Sequence, residues 1–146
     1  MKIAILGAGS VGGALGKRLA AAGHEIHFGV TDPQSEKTQR LISEIGAKAG
    51  TVVEAAANAE VILLATPWNA VPDALRNAGD VQGKIIVDCT NPLAMSAGGL
   101  GLTIGFDTSG AEQIAAMVPG AHVVKAFNQT GFGNMAEPSF GDRRSV

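Results

Sequence analysis

A chain of 146 residues makes one domain, with room for a true core but little to spare for an enzyme that must hold two substrates. Charged residues are 16% of the chain and the formal charge is −2, which offers no general attraction to nucleic acid or an anionic membrane. The lone cysteine, Cys89, excludes an internal disulfide and points to a reducing cytoplasm; no apolar run approaches membrane-spanning length, and the N-terminus enters a strand too soon for a signal peptide.

Ile3-Ala4-Ile5-Leu6 reads as a strand, and Gly7-Ala8-Gly9-Ser10-Val11-Gly12 follows it directly. This is G-x-G-x-x-G between a strand and a helix. There the first glycine makes a tight turn, the second admits a pyrophosphate and the third lets the helix approach the sheet. Val11, Ala14, Leu15, Leu19 and Ala22 recur at helical spacing, with Gly23 as the stop. Glu25 to Gly29 reads as the second strand. Asp32-Pro33 reads as an N-cap and first helical position of a helix running to about Ile45. Thr51-Val52-Val53 predicts a short third strand and Glu54 to Ala59 a short alanine-rich helix. Val61 to Ala65 is an unbroken apolar run, as in a parallel sheet covered on both faces.

Thr66-Pro67 ends that strand, Asn69 is placed to cap, and Ala70, Val71, Ala74, Leu75 and Ala78 form one helical face before Gly79. Lys84 to Asp88 is the fifth strand. Ser96 to Gly105 is so rich in glycine that it predicts a mobile loop. Ser109 with Glu112 forms a capping box for a helix through Met117, and His122 to Ala126 is the sixth strand. The alternation predicts an α/β fold, a Rossmann-like doubly wound parallel sheet of strand order 3-2-1-4-5-6.

Ligands of such a sheet lie outside the carboxyl ends of its strands. Those ends carry Gly7, Ala8, Gly9, Ser10, Val11 and Gly12; Thr31; Ala65, Thr66 and Pro67; Asn91; and Ala126, Phe127 and Asn128, the candidate cofactor-binding residues. Several are small or amide residues rather than catalytic acids and bases, which suits hydride transfer: the cofactor carries the chemistry and no side chain need act as nucleophile or base. Where an NAD site places Asp or Glu, this chain has Gly29, Val30 and Thr31, favouring NADP. Asp32 is read as a cap. Trp68 is either a wall beside the nicotinamide or surface packing, and Asn91 either a ligand or an Asx-turn residue. His24, His27 and His122 are not expected to be catalytic, and no metal-ligand spacing appears. Cys89 reads as a small buried hydrophobe.

Gly7 to Gly13, Ala65-Thr66-Pro67-Trp68, Asp88-Cys89-Thr90-Asn91-Pro92 and Val124-Lys125-Ala126-Phe127-Asn128 together resemble the NADPH-dependent coenzyme F420 reductases, from Met1 to about Gly141. The resemblance implies hydride transfer between NADP(H) and the deazaflavin F420, and a homodimer. It also implies a chain shortened at its C-terminus: an NADP-binding Rossmann domain over 1–128 and an irregular tail over 129–146, without the family's C-terminal extension. The family often has a Ser/Thr-Arg-like pair after the second strand, whereas Thr31 is followed by Asp32. Three readings follow: transfer to F420 or a similar flavin-like acceptor; reduction of an imine, small carbonyl or ferric chelate; or an NADP(H)-binding module without turnover.

Overall fold

The computed structural model describes residues 1–96, 98–105, 107–140 and 143–144. Its main sheet is parallel and six-stranded: β1 (Lys2–Leu6), β2 (Glu25–Gly29), β3 (Lys48–Gly50), β4 (Val61–Leu64), β5 (Ile85–Asp88) and, after the hairpin β6 (Leu93–Ser96) and β7 (Gly99–Leu102), β8 (His122–Lys125). The spatial order is β3-β2-β1-β4-β5-β8, the predicted doubly wound topology with β8 as the sixth strand of the sheet. Helices α1 (Ser10–Ala21), α2 (Glu36–Ile45), α3 (Val52–Ala57), α4 (Val71–Asn77), α5 (Gly110–Met117) and α6 (Phe132–Ala136) cover it.

The pleat divides the core in two. Ala4, Leu6, Ile62, Leu64 and Ile86 pack on one face against α3, α4 and α5, through Ala55, Val71, Leu75 and Ile114. Ile3, Ile5, Val61 and Leu63 point to the other face, against α1, α2 and α6, through Ala14, Leu15, Leu41 and Met135. Central strands β1 and β4 are therefore apolar at every position from Ile3 to Leu6 and from Val61 to Leu64.

Several boundaries differ from the sequence expectation. Thr51-Val52-Val53 is not a strand: Thr51 caps α3, its hydroxyl accepting from the Glu54 N–H while Glu54 receives the Thr51 N–H at 2.7 Å. That reciprocal box outweighs the β-branched run, and β3 lies just before it. Asp32 does not cap α2. Its Oδ1 accepts from the Gln34 N–H at 3.0 Å in a local turn, and Ser35 is the cap. Asn69 likewise caps nothing; it sits in a single 3-10 turn, Trp68–Ala70, before α4.

The glycine-rich stretch contains the antiparallel pair β6 and β7, with Leu93 opposite Leu102 and Met95 opposite Leu100. Leu and Met alternate with small residues along both strands, and these four side chains are exposed. The segment expected to be an irregular tail holds α6, anchored by the buried Met135 against the face that carries α1. Beyond it Ser139–Phe140 (β9) pairs with Arg143–Arg144 (β10). Gly141, Asp142, Ser145 and Val146 lie outside the described residues, as do Ala97 and Phe106. Among the described residues no helix is long and apolar enough to cross a membrane.

Candidate dinucleotide-binding site

The end of β1 delivers the chain into Gly7, whose φ of 108° lies in the left-handed region. A Cβ there would stand 2.7 Å from the Ala65 carbonyl oxygen, so the neighbouring strand end also demands glycine. The Gly7 N–H donates to the Gly29 carbonyl at 3.0 Å and ties the loop to β2. Gly9 is different. Its φ of −77° and ψ of −166° suit any residue, and a Cβ would meet nothing within 4 Å. Nothing in the folded chain itself requires glycine there; an occupant of the open space in front of it would.

Gly9 is also the N-cap of α1, with no side-chain cap and no acidic residue in the first turn. Gly13 makes the first intrahelical bond, to the Gly9 carbonyl at 2.8 Å, which leaves the earlier N–H groups without a helical partner. By contrast α2, α3 and α5 are capped by Ser35, Thr51 and Ser109. The unblocked terminus, with its positive dipole end, is suited to an anion.

Two chambers meet at this loop. The larger, about 420 Å³, is lined by Gly7, Ala8, Gly9, the β2 end from Gly29 to Thr31, Ala65 to Pro67, and residues of α3 and α4. The smaller, about 330 Å³, is lined by Gly9, Ser10 and Val11, Ala65 to Trp68, and Cys89, Thr90 and Asn91. Gly9, Ala65, Thr66 and Pro67 border both. The pair therefore forms a groove across the α1 N-terminus, with one chamber on the β2 side and the other on the β5 side. Thr66 Oγ1 is, among the described residues, the buried side-chain polar atom without a hydrogen-bond partner. An unpaired buried hydroxyl is costly unless a bound group completes it.

Most predicted site residues converge on these chambers. Gly12 stands behind them, where a Cβ would press to 2.1 Å from the Gly7 carbonyl oxygen. Ala126, Phe127 and Asn128 line neither chamber, because β8 lies beyond β5 at the sheet edge. Phe127 is nonetheless unusual, with φ of 62° in a non-glycine residue. Trp68 lines the smaller chamber and also packs against the core. Sequence reasoning missed Ala70, Asp73, Ala74 and Asn77 of the larger chamber. Their i, i+3, i+4, i+7 spacing is the signal that could have found them.

At Gly29 a side chain is excluded: a Cβ would lie 2.8 Å from Leu6 and 3.0 Å from the Val52 backbone, so no carboxylate can occupy that place. Asp32 is engaged in its own turn. Among the described residues no lysine or arginine lines the larger chamber, and Arg40 pairs with Glu44 at 3.2 Å instead. Thr31 is thus the polar side chain that the segment after β2 offers to the larger chamber.

Asp88 closes β5 with a fully buried carboxylate. Oδ1 accepts from the Thr90 N–H at 2.8 Å and hydroxyl at 2.7 Å, and Oδ2 from Lys125 Nζ at 3.0 Å. The same ammonium donates to the Thr90 carbonyl. Burial, and then the charge of Asp88, push the neighbouring Cys89 thiol up to about 12, although Lys125 opposes this. Cys89 is therefore a neutral wall residue and not a nucleophile. A larger depression, about 570 Å³, borders Gly79 to Gln82 and Val118 to Gly120. It lies at the amino ends of β5 and β8, the wrong end for a ligand of this sheet.

Comparison with known proteins accords with this arrangement. Residues 2–92 match the family described as NADP oxidoreductase, coenzyme F420-dependent. The F420-dependent NADP reductase of Methanothermobacter marburgensis is 33% identical over 141 residues, covering 88% of this chain and 63% of that protein. A metalloreductase of Rattus norvegicus is 30% identical over 98% of this chain but only 28% of its own length. In structure, a candidate F420-dependent NADP-reductase from Arthrobacter sp. FB24 superposes with a TM-score of 0.88 at 35% identity, covering 94% of this chain and 67% of the other. The chain thus spans less than two thirds of the length of its Methanothermobacter relative. With the family's motif region matched over the strands and loops that build the groove, this chain belongs to the coenzyme F420-dependent NADP oxidoreductase family.

Proposed function

We propose that the chain binds NADP(H) along the two-chambered groove and serves hydride transfer between NADP(H) and coenzyme F420 or a similar flavin-like acceptor. The observation that carries this reading is the junction at Gly9: open space before an uncapped helix N-terminus, with a buried Thr66 hydroxyl awaiting a partner. The pyrophosphate lies against Gly7 to Gly12. The adenosine half takes the β2 side, where Thr31 meets the ribose or its phosphate, and the nicotinamide half takes the β5 side, bordered by Pro67 and Asn91. Ala126, Phe127 and Asn128 stand at the sheet edge and face the acceptor.

When bound, the nicotinamide supplies the hydride, and the acceptor takes up that hydride with a proton from solvent. The protein's part is to bind, orient and exclude water, with no residue obliged to act as base. NADP(H) binding by calorimetry, followed by loss of deazaflavin absorbance when NADPH meets oxidised F420, tests the reading. Binding without turnover of F420 would refute the acceptor assignment, and absence of binding would refute the whole.

The metalloreductase similarity, which runs along almost the entire chain, favours one second reading. In it the same nucleotide groove feeds electrons toward a ferric centre, so a ferric chelate belongs in the acceptor panel. A free, buried Cys89 supports a reducing cytoplasmic setting, and the exposed edge strand β8 supports a homodimer, which light scattering would test.

A further inference from the structure

The ion pair between Lys125 and Asp88 is not part of either chamber, yet it is bonded to a residue that lines one, Thr90. Asp88 and Lys125 are register partners at the carboxyl ends of β5 and β8. The Asp88 carboxylate is fully buried, and each of its oxygens is engaged: Oδ1 by Thr90 twice, Oδ2 by the ammonium. Lys125 reaches past it to the Thr90 carbonyl, so Thr90 is held at its N–H, its hydroxyl and its C=O by one cross-strand unit. Thr90 is itself buried, and with Cys89 and Asn91 it lines the smaller chamber. The backbone bonds of this segment run from the Cys89 N–H to Leu64 at 3.1 Å, from the Ala126 N–H to Asp88 at 3.1 Å and from the Leu93 N–H to Asn91 at 2.8 Å, and none of them engages Thr90.

We infer that Lys125 is a positioning residue for the nicotinamide half of the site. By bridging the Asp88 carboxylate and the Thr90 carbonyl it holds residues 89–91 as the wall of the smaller chamber. The inference rests on the dinucleotide reading given above. It separates this pair from a merely structural one, because the two chambers share the Gly9 junction but only the smaller is bordered by the clamped loop. Loss of the bridge should therefore affect the two halves of the ligand unequally.

The test measures binding of NADPH and of 2′,5′-ADP, which carries only the adenosine half, by calorimetry. The proteins are the wild-type chain, Lys125→Met, Lys125→Arg and the double variant Asp88→Asn with Lys125→Met. Lys125→Met is expected to weaken NADPH roughly tenfold more than 2′,5′-ADP, the scale of one lost charge-assisted hydrogen bond. Lys125→Arg, which keeps a cation and several donors, should recover most of the difference. The double variant leaves no unpaired buried carboxylate, so it covers the case in which Lys125→Met fails to fold, and it should show the same selective loss.

Equal losses for the two ligands, or none, in a folded variant would overturn the positioning role. So would failure of the double variant to fold, since the pair would then be a requirement of the fold itself. A wild-type chain that binds neither ligand would refute the dinucleotide reading instead, a separate result.

Discussion

Replacing Gly9 with alanine should abolish nucleotide binding while leaving the fold intact, a combination that few glycine substitutions in this chain would give. The backbone at Gly9 is already in an extended conformation and a Cβ there touches nothing within 4 Å, so the folded state accepts the methyl. Reduced freedom of the unfolded chain favours alanine by about 0.4–1 kcal/mol. Loss of a tolerated N-cap residue offsets this by about 1 kcal/mol, leaving stability changed by less than about 1 kcal/mol. The same methyl stands in the space before the α1 N-terminus. A pyrophosphate pushed off one or two of the first-turn N–H groups loses about 3 kcal/mol, more than a hundredfold in Kd. Gly12→Ala is the contrasting control: its Cβ would lie 2.1 Å from a backbone oxygen, and forcing helix and loop apart should cost about 3 kcal/mol. Calorimetry with NADPH and urea unfolding of both variants give the two readouts. Binding by Gly9→Ala within a few fold of wild type would refute the placement of the pyrophosphate, whatever the stability result.

Thr66→Val should keep or slightly raise stability, by about 1 kcal/mol, because it removes an unpaired buried hydroxyl, yet weaken NADPH binding by roughly tenfold; a loss of stability in urea would show that the hydroxyl is satisfied within the protein. Cys89, its thiol held near 12 by burial and Asp88, should resist alkylation at pH 8 in the native state and react promptly once unfolded, as followed by mass spectrometry. The Thr51 N–H and hydroxyl hold Glu54 below the usual glutamate range, and those of Ser109, with Thr108, do the same for Glu112. For a depressed carboxyl the stabilisation is present above the unfolded value and is lost as pH falls through the folded one. Thermal melting should therefore decline on the acid side of the ordinary carboxylate range, and less steeply for the double variant Glu54→Gln with Glu112→Gln.

The sheet and its glycine loop were legible because their signals are local. A continuous apolar run marks a strand buried on both faces, and in G-x-G-x-x-G between strand and helix the first and third glycines stand where a Cβ would strike backbone. The errors arose where two local signals compete. Asp32-Pro33 and Ser35 both look like helix starts; the Asp32 side chain is consumed by its own turn at Gln34, so Ser35 wins. Thr51-Val52-Val53 has strand-like side chains, but Thr51 and Glu54 satisfy two orphan donors at once and begin a helix. Glycines concealed the β6–β7 pair, in which Leu93 and Met95 stand opposite Leu102 and Leu100 across the hairpin. The helical spacing of Ala70, Asp73, Ala74 and Asn77 marks one face of α4, but that this face walls the larger chamber depends on α4 crossing the sheet face beside α3. The Asp88–Lys125 contact spans 37 residues and is fixed only when β5 and β8 pair in register.

The groove and the clamp follow from the same parallel topology by opposite routes. At the β1/β4 boundary α1 packs on one sheet face and α4 on the other, so the two helices diverge from the strand ends. The residues between them are small: Gly7, Ala8 and Gly9 from one side, Ala65, Ala70 and Ala74 from the other. These residues leave the gap between the helices open, a chamber of about 420 Å³. Farther along the sheet, at the ends of β5 and β8, the Asp88 carboxylate and the long Lys125 side chain meet in register and bind the following loop at Thr90. A buried carboxylate is an expensive way to hold a turn, and an apolar pair of similar volume would often be as stable. An apolar pair could not, however, engage an N–H, a hydroxyl and a carbonyl of one residue at once. The polarity of the clamp therefore fixes the direction of the loop as well as its attachment, and in the proposed binding mode that direction is what a wall beside the nicotinamide requires.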